Sequence, residues 1–99
     1  MTTLHIVSKS PHANNALADC LGACGDHATI LLIEDAVNGG LKGSDWAVQL
    51  ETAGHQLFVL DADCAARGLS NKIDAHFQRI DYARFVQLCC DHSPIVSWY

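Results

Sequence analysis

The sequence predicts an α/β fold, a three-layer sandwich in which a mostly parallel sheet of about five strands carries helices on both faces. Short continuous apolar runs rich in β-branched residues, at 4–7, 29–33 and 56–60, are typical of strands covered on both faces. Each run is followed by a segment in which apolar residues recur at helical spacing. Strands that alternate with helices in this way favour parallel pairing and right-handed crossovers.

The first strand is expected at Leu4 to Val7. Ser10 is then the expected N-cap of a helix, with Pro11 at its first position. The apolar residues of this helix recur at helical spacing, and they are Ala13, Ala16, Leu17, Cys20, Leu21 and Cys24. Gly22 and Gly25 mark the end of the helix.

The second unit holds the expected central strand, Thr29 to Ile33, whose unbroken apolar run is too short for a helix. A glycine-rich turn follows at 38–43. A helix is expected to begin at Ser44 and to end at Gly54. The residues expected on its apolar face are Trp46, Ala47, Leu50 and Ala53.

The third strand is expected at Gln56 to Leu60, with a short helix from Ala62 to Gly68 after it. A weaker strand is expected at Phe77 to Ile80. Asp81 then caps a helix, and a last strand follows at Ile95 to Trp98. The side chains expected to pack inward from that last helix are Phe85, Val86, Leu88 and Cys89.

A length of 99 residues leaves room for one hydrophobic core, so residues 1–99 are expected to form a single domain. The apolar fraction of 49% is high for so short a chain, whose large surface relative to its volume favours polar residues. We therefore expect some apolar surface to meet a partner chain. Whether the isolated chain also forms a homo-oligomer is left open.

Composition excludes several classes of function. The formal charge is −5 and the six Lys and Arg residues are scattered, so direct binding of nucleic acid is disfavoured. No basic leader and no apolar run of about 20 residues occurs, which predicts neither secretion nor a membrane span. Five cysteines form no regular framework, which is typical of reduced thiols in the cytoplasm.

In a parallel sheet, binding and chemistry gather at the carboxyl ends of the strands, here Ser8 to Ser10, Glu34 to Val37 and Asp61 to Asp63. Gly39 to Ser44 lacks the spacing of a phosphate-binding loop and is interpreted as a turn. No residue is found to make Asp35 a general base, and no Ser-His-Asp arrangement is indicated. A self-contained hydrolase is therefore not predicted, and no cofactor is expected.

Cysteine is the residue type that most invites a functional interpretation. Cys64, Cys89 and Cys90 are interpreted as packing residues, because cysteine is commonly buried as a small hydrophobe. A helical wheel of the first helix places Cys24 near the middle of the apolar stripe and Cys20 nearer its margin, so Cys20 is expected to be the more accessible. Cys20 lies in the second half of its helix, where the helix dipole opposes ionisation, so a reactive Cys20 needs help from a partner's residues.

A metal site at Cys20, Cys24 and His27 is a further possibility that the spacing does not support. Structural zinc usually takes two close-set pairs of ligands, and no second pair occurs. Gly25 is also expected to end the helix before His27. No metal ligands are predicted.

Five sequence pieces in order give the chain a family resemblance. They are Leu4-His5 with Lys9-Ser10-Pro11, then 31–37 (LLIEDAV), then 66–69 (ARGL), then Asp81-Tyr82 with Phe85-Val86, and then Trp98. Together they resemble the DsrH/TusB family over nearly the whole chain. Ala36 is a departure, because many members have glycine there.

The resemblance implies a DsrE-like fold and a place as the smallest partner of DsrE/TusD-like and DsrF/TusC-like subunits. Complexes of this family relay persulfide sulfur. The Tus branch passes it through a TusE-like carrier toward 2-thiolation of the wobble uridine of certain tRNAs, and the Dsr branch passes it to a DsrC-like carrier during sulfur oxidation. DsrH-type members carry a cysteine in the first helix, where Cys20 stands here.

Two hypotheses follow from these observations. In the first, Cys20 is a persulfide carrier that accepts or passes sulfur by thiol exchange. In the second, the chain is a non-catalytic structural subunit of the same kind of hetero-oligomer, and partner cysteines carry the sulfur. The sequence does not decide between tRNA thiolation and sulfur oxidation.

Overall fold

The structure, a computed structural model, describes residues 3–25 and 27–99. Its strands are β1 (Leu4–Val7), β2 (Thr29–Leu32), β3 (Gln56–Leu60), β4 (Gln78–Ile80) and β5 (Ile95–Trp98). Its α-helices are α1 (Ala16–Ala23), α2 (Asp45–Thr52), α3 (Asp61–Ala66) and α4 (Tyr82–Asp91), and a 3₁₀ helix spans Glu34–Gly40. Among these residues no helix has the length and apolar character needed to cross a lipid bilayer.

The five strands form one parallel sheet in the order β4-β3-β2-β1-β5. The predicted central position of β2 is confirmed, since two strands lie on each side of it. β1 is also internal, and Leu4 pairs with Thr29 on one side and with Ile95 on the other. The last strand therefore lies against the first.

The two faces of the sheet carry separate cores because side chains alternate along each strand. One core receives Val7, Ile30 and Val59 from the strands, with side chains of α1, α2 and α3 packed on them; we call this side the α1 face. The other core receives Ile6, Leu31 and Phe58, and Leu88 of α4 packs on them; we call this side the α4 face. The prediction of helices on both faces is confirmed, although α4 is the one α-helix among the described residues whose buried side chain joins the second core.

The predicted start of the first helix is wrong. Ser10 accepts hydrogen bonds from the backbone of His12 and Ala13, so it closes a turn instead of capping a helix. The helix begins at Ala16, whose backbone N–H donates to Asn14 Oδ1 at 2.7 Å. Asparagine competes well for nearby backbone groups, which explains why the helix starts after the two asparagines.

The caps predicted for the later helices are confirmed. Ser44 Oγ accepts from Ala47 N at the start of α2, and Asp81 Oδ1 accepts from Arg84 N at the start of α4. The inward packing predicted for α4 holds for Leu88 but is wrong for Val86, which is 62% exposed. α4 has more apolar residues than positions that face the sheet, and Val86 lies on the side of the helix that faces solvent.

The predicted glycine-rich turn is only partly correct, because its first residues belong to the 3₁₀ helix Glu34–Gly40. Gly39 and Gly40 are buried there. A Cβ on Gly39 would lie 3.0 Å from Leu17 Cδ2 of α1. Glycine at this position thus allows α1 to pack closely against the 3₁₀ helix.

Candidate functional site

Cys20, the predicted site residue, lies in the core of the α1 face. Its exposed fraction is 0%, and Ala16 and Leu17 of the same helix are buried in the same cluster. Burial raises the pKa of the Cys20 thiol to about 12, and the neighbouring Cys24 raises it further through its charge and a hydrogen bond between the two thiols. Cys20 is therefore a protonated thiol without access to solvent.

The predicted order of accessibility of the two cysteines is wrong. Cys24 is partly exposed, whereas Cys20 is fully buried. The reason is the end of α1: the helix ends at Ala23, so Cys24 is its C-cap and lies at the end of the helix instead of along its buried side. A helical wheel extended through Cys24 assumes a helix that has already ended there.

Cys24 is surrounded by polar atoms. Its Sγ lies 3.4 Å from the carbonyl oxygen of Gly25 and 3.9 Å from that of Leu21. The Nε2 atom of His55 lies 3.9 Å from the same sulfur. These distances place an imidazole, two carbonyl acceptors and the thiol of Cys20 around one partly exposed sulfur atom.

His55 is oriented by the backbone. The N–H of Ala28 donates to His55 Nδ1 at 3.0 Å, so Nδ1 is an acceptor and a neutral imidazole carries its proton on Nε2. That N–H faces Cys24. Ala28 precedes β2 and His55 precedes β3, so the Cys24–His55 pair lies at the amino ends of the strands.

The other three cysteines differ in their exposure. Cys64 is fully buried, as predicted, and burial raises the pKa of its thiol. Cys89 is partly buried and packs near the core of the α4 face. The packing role predicted for Cys90 is wrong, because its side chain is exposed on α4. None of the five cysteines forms a disulfide bond with another.

A cavity of about 330 Å³ opens at the carboxyl ends of β1, β2 and β5. Its lining comprises Ile6, Ser8, Lys9, Ile33, Glu34, Ser97 and Tyr99. The predicted edge residues Ser8, Lys9 and Glu34 are thus brought together, as expected for a parallel sheet. No cysteine lines this cavity, which is at the opposite end of the strands from the Cys24–His55 pair.

Two loops at this edge are joined by acidic side chains. Asp63 Oδ2 accepts from the backbone N–H of Glu34 at 2.7 Å, and Glu34 has the left-handed φ of +50°. Arg67 Nε donates to Asp35 Oδ1 at 2.9 Å. The carboxylate of Asp35, for which the sequence indicated no catalytic role, is therefore an ion-pair partner.

A cluster that the sequence did not indicate lies between α2 and the segment before β4. The ligand atoms of Glu51, Asp74 and His76 all lie within 4.8 Å of one another, and carboxylates with an imidazole can bind Zn²⁺ or Mn²⁺. His76 Nδ1 hydrogen-bonds to Asp74 Oδ1 at 2.9 Å. Glu51 Oε1 is equally close to Nδ1 but has no hydrogen-bond partner within the described ranges.

The cluster perturbs the ionisation of its members. Hydrogen bonds from the backbone and ring of His76, and one from Glu51, lower the pKa of Asp74 to about 2. The hydrogen bond to Asp74 and the charge of Glu51 raise the pKa of His76. The hydrogen bond from Glu51 to Asp74 raises the pKa of Glu51. The spacing between Glu51 and Asp74 gave no signal in the sequence.

His27, the third member of the set considered for zinc, is directed elsewhere. Its Nδ1 lies 3.3 Å from the carbonyl oxygen of Gly54, and its φ is +58°. An imidazole nitrogen at this distance from a carbonyl oxygen is placed to donate a hydrogen bond to it. His27 therefore links the segment before β2 to the end of α2.

The fold of the chain is similar to that of a solved structure. The crystal structure of the YchN protein from Escherichia coli matches with a TM-score of 0.72 over 98% of this chain and 99% of that one. The sequence identity is 16%, so the likeness concerns the fold alone. The predicted α/β fold, a parallel sheet of five strands with helices on both faces, is confirmed.

Comparison of sequences identifies the family. A family model described as DsrH like protein matches residues 9–95. The chain is 32% identical over 95 residues to protein TusB of Escherichia coli strain SMS-3-5, and 34% identical over 96 residues to protein TusB of Pectobacterium parmentieri. Each match covers 96% of this chain and 99% of the relative. The chain belongs to the DsrH-like family, and the resemblance found in the sequence is confirmed.

Proposed function

We propose that this chain is a subunit of a cytoplasmic sulfur-relay complex that supports 2-thiolation of the wobble uridine of tRNA. The observation that carries the proposal is the similarity to proteins named TusB over 96% of the chain. In this role its partners are TusD-like and TusC-like subunits and a TusE-like sulfur carrier. The sulfur-oxidation branch, with DsrE-like, DsrF-like and DsrC-like partners, is the alternative within the same family.

The charge of the molecule supports a relay between proteins. With a net charge of −5 and six basic residues, the chain has no means of neutralising many phosphates of a tRNA. Sulfur would then reach tRNA through a carrier protein and another enzyme. Five cysteines without a disulfide bond among them are consistent with a reducing compartment such as the cytoplasm.

That Cys20 is the persulfide carrier remains a prediction, and it requires that the buried thiol becomes accessible to a partner's sulfur. The Cys20 sulfur is sealed in the core and its pKa is about 12, so exchange requires α1 to move and expose the thiol. The burial of Cys20 favours the second candidate function, a structural subunit whose partners' cysteines carry the sulfur.

Gene deletion tests the proposed function. Loss of the gene should abolish wobble 2-thiouridine in the organism's tRNA, measured by mass spectrometry of nucleosides, and the wild-type gene should restore it. Unchanged 2-thiouridine in the deletion strain would contradict the tRNA branch. Purification of the tagged chain with its two expected partner subunits tests the assembly independently of the chemistry.

Complementation with variants separates the two roles of Cys20. Cys20→Ala should abolish 2-thiouridine if Cys20 carries sulfur and should leave it near normal if the chain is structural. Cys64→Ala is the matched control, because Cys64 is also fully buried in the same core. Removing either thiol costs a similar packing energy of about 1–2 kcal/mol. A shared loss in both variants would indicate unfolding.

A further inference from the structure

We propose that Cys24 is the thiol through which this chain takes sulfur from a cysteine persulfide on a partner subunit, with His55 as a positioning residue and Cys20 as a protonated neighbour behind it. This inference rests on the proposed function and names the reacting atom within it. Three observations support it: the exposure of the two thiols, the direction of the His55 ring and the contact between Cys20 and Cys24.

Access is the first argument. A partner's sulfur must approach a thiol in line to displace a thiolate, which requires an open path to the sulfur. Cys24 lies at the C-terminal end of α1 and is partly exposed, whereas Cys20, one helical turn earlier, is 0% exposed. A sulfur donor can therefore meet Cys24 without any change in the packing of α1.

The orientation of His55 is the second argument. Because Nδ1 accepts from Ala28 N, the neutral ring presents its Nε2–H toward the sulfur of Cys24. A donor that faces a sulfur stabilises the thiolate form and the developing charge of a departing sulfur. In this tautomer His55 is not a base. The thiol proton instead faces the carbonyl oxygens of Gly25 and Leu21 and leaves to solvent.

The exchange step balances without an oxidant. The Cys24 thiolate attacks the outer sulfur of the partner's persulfide, and a new S–S bond forms on Cys24 while the donor's S–S bond breaks. The partner cysteine departs as a thiolate and takes a proton from solvent. The transferred sulfur keeps its own hydrogen, so one persulfide and one thiol enter and one persulfide and one thiol leave.

Cys20 has a defined place in this arrangement. A thiolate next to a persulfide can attack the inner sulfur, expel hydrosulfide and leave a disulfide. Burial holds the pKa of Cys20 at about 12, so at neutral pH it is a thiol and does not make this attack. Because Cys20 is buried and protonated, it does not displace the sulfur from a persulfide on Cys24.

Alkylation of the native protein tests the order of reactivity. Brief treatment of the folded chain with iodoacetamide, followed by peptide fragmentation between Cys20 and Cys24, reports each site separately. Cys24 should react at least about tenfold faster than Cys20, because alkylation follows access and thiolate fraction. Equal or faster labelling of Cys20 would overturn the proposal.

Variants of His55 test the positioning role. His55→Ala should slow alkylation of Cys24 about three- to tenfold near neutral pH, since the thiolate loses a donor. His55→Gln keeps an N–H donor and an acceptor and should restore most of the rate. His27→Ala is the matched control, because that imidazole faces Gly54 O instead. A pH–rate profile of Cys24 that is the same in His55→Ala and wild type would refute this role.

Sulfur loading is the closing experiment. The purified chain is incubated with glutathione persulfide, and the mass of one added sulfur atom is located by mass spectrometry. We expect it on Cys24 in the wild type and in Cys20→Ala, and we expect its loss from the first helix in Cys24→Ala. Sulfur on Cys20, or none on Cys24, would exclude the exchange step. Purification with the partner subunits reads out the proposed function separately, because it measures assembly and not sulfur transfer.

Discussion

Trp98 and His5 are joined across the β1–β5 ladder, and this pair gives a prediction about a single hydrogen bond. Trp98 Nε1 donates to His5 Nδ1 at 3.1 Å, and His5 is buried. Trp98→Phe keeps an aromatic ring but leaves a buried acceptor without its donor, so it should lower the free energy of unfolding by about 1–3 kcal/mol. Urea denaturation at neutral pH measures this.

Trp46→Phe is the control for this substitution, because Trp46 packs against the same core and also loses an indole. It should cost less than Trp98→Phe. Burial lowers the pKa of His5, so the stability provided by the neutral ring is present above about pH 6.5 and is lost as the pH falls through its lowered pKa. An effect of Trp98→Phe no larger than that of Trp46→Phe would show that the hydrogen bond contributes little.

His76 gives a second prediction, with the opposite dependence on pH. Hydrogen bonding to Asp74 and the charge of Glu51 raise the pKa of His76 above its ordinary 6.5. The stabilisation by its charged form is therefore fully present below pH 6.5 and is lost as the pH rises through the raised pKa. His76→Ala should lower the urea midpoint most at mildly acidic pH, and the difference from wild type should shrink in alkaline buffer.

His12→Ala serves as the reference for His76→Ala, because His12 is also an exposed histidine and its side chain makes no hydrogen bond or ion pair in the described segments. It should shift the urea midpoint little at any pH. A His76→Ala difference that grows with pH would reverse the sign and disprove the interpretation of the cluster.

For single residues, the sequence predicted Cys20 as a site residue, and that stays a prediction, but it did not predict the surroundings of the thiol. The family resemblance depends on residue identity and so picked out the cysteine of the first helix. Which thiol faces solvent depends on where α1 ends, and Cys24 is the C-cap of a helix that ends at Ala23. The His55 contact joins residues 31 positions apart, and no spacing in the sequence indicates it.

The packing of α1 on the 3₁₀ helix gives a prediction at the scale of elements. Gly39→Ala would place a Cβ 3.0 Å from Leu17 Cδ2, and Leu17 is fully buried with little freedom to move. We expect a loss of about 1–3 kcal/mol in the free energy of unfolding, typical of overpacking. Thermal or urea denaturation measures it.

Gly22→Ala is the matched control within α1. Apart from its chain neighbours and the backbone of its own helix, no atom of the described residues lies within 4 Å of the position that its Cβ would occupy, and alanine is a better helix former than glycine. This variant should gain about 0.5–1 kcal/mol. If Gly39→Ala is as stable as Gly22→Ala, α1 is packed more loosely than the structure indicates.

Strands were easier to predict than helix starts. β1, β3 and β5 have the predicted bounds because runs of apolar and β-branched residues favour a strand over a helix. The 3₁₀ helix and the late start of α1 were missed. Both depend on competition among turn-forming residues of similar preference, which tertiary packing decides.

Protection from hydrogen exchange gives a prediction for the whole molecule. β2 is fully buried and has a strand on each side, whereas β5 is an edge strand whose side chains are partly or fully exposed. Amides of β2 should exchange only on global unfolding, and those of β5 should exchange through local opening. Mass spectrometry of deuterium uptake distinguishes them, and equal protection of the two strands would contradict the expectation.

The pieces of sequence that carried the family resemblance are brought together by the fold. Arg67 of 66–69 pairs with Asp35 of 31–37, and Trp98 hydrogen-bonds to His5. Residues from separate pieces thus contact one another in the folded chain, although the pieces are scattered along the sequence. The sheet and its layers were predictable because they follow from the alternation of strands and helices. The single domain expected for residues 1–99 stays a prediction.

The strand order has a consequence for biosynthesis. β1 is synthesised before the other four strands, yet one of its two neighbours in the finished sheet is β5, which is synthesised after them. Until residues 95–98 have been synthesised, the edge of β1 that will receive them has open backbone donors and acceptors. A nascent chain therefore has an unpaired strand edge, open to association with other chains, until β5 is made, and a chaperone that shields this edge would improve the yield of the native protein.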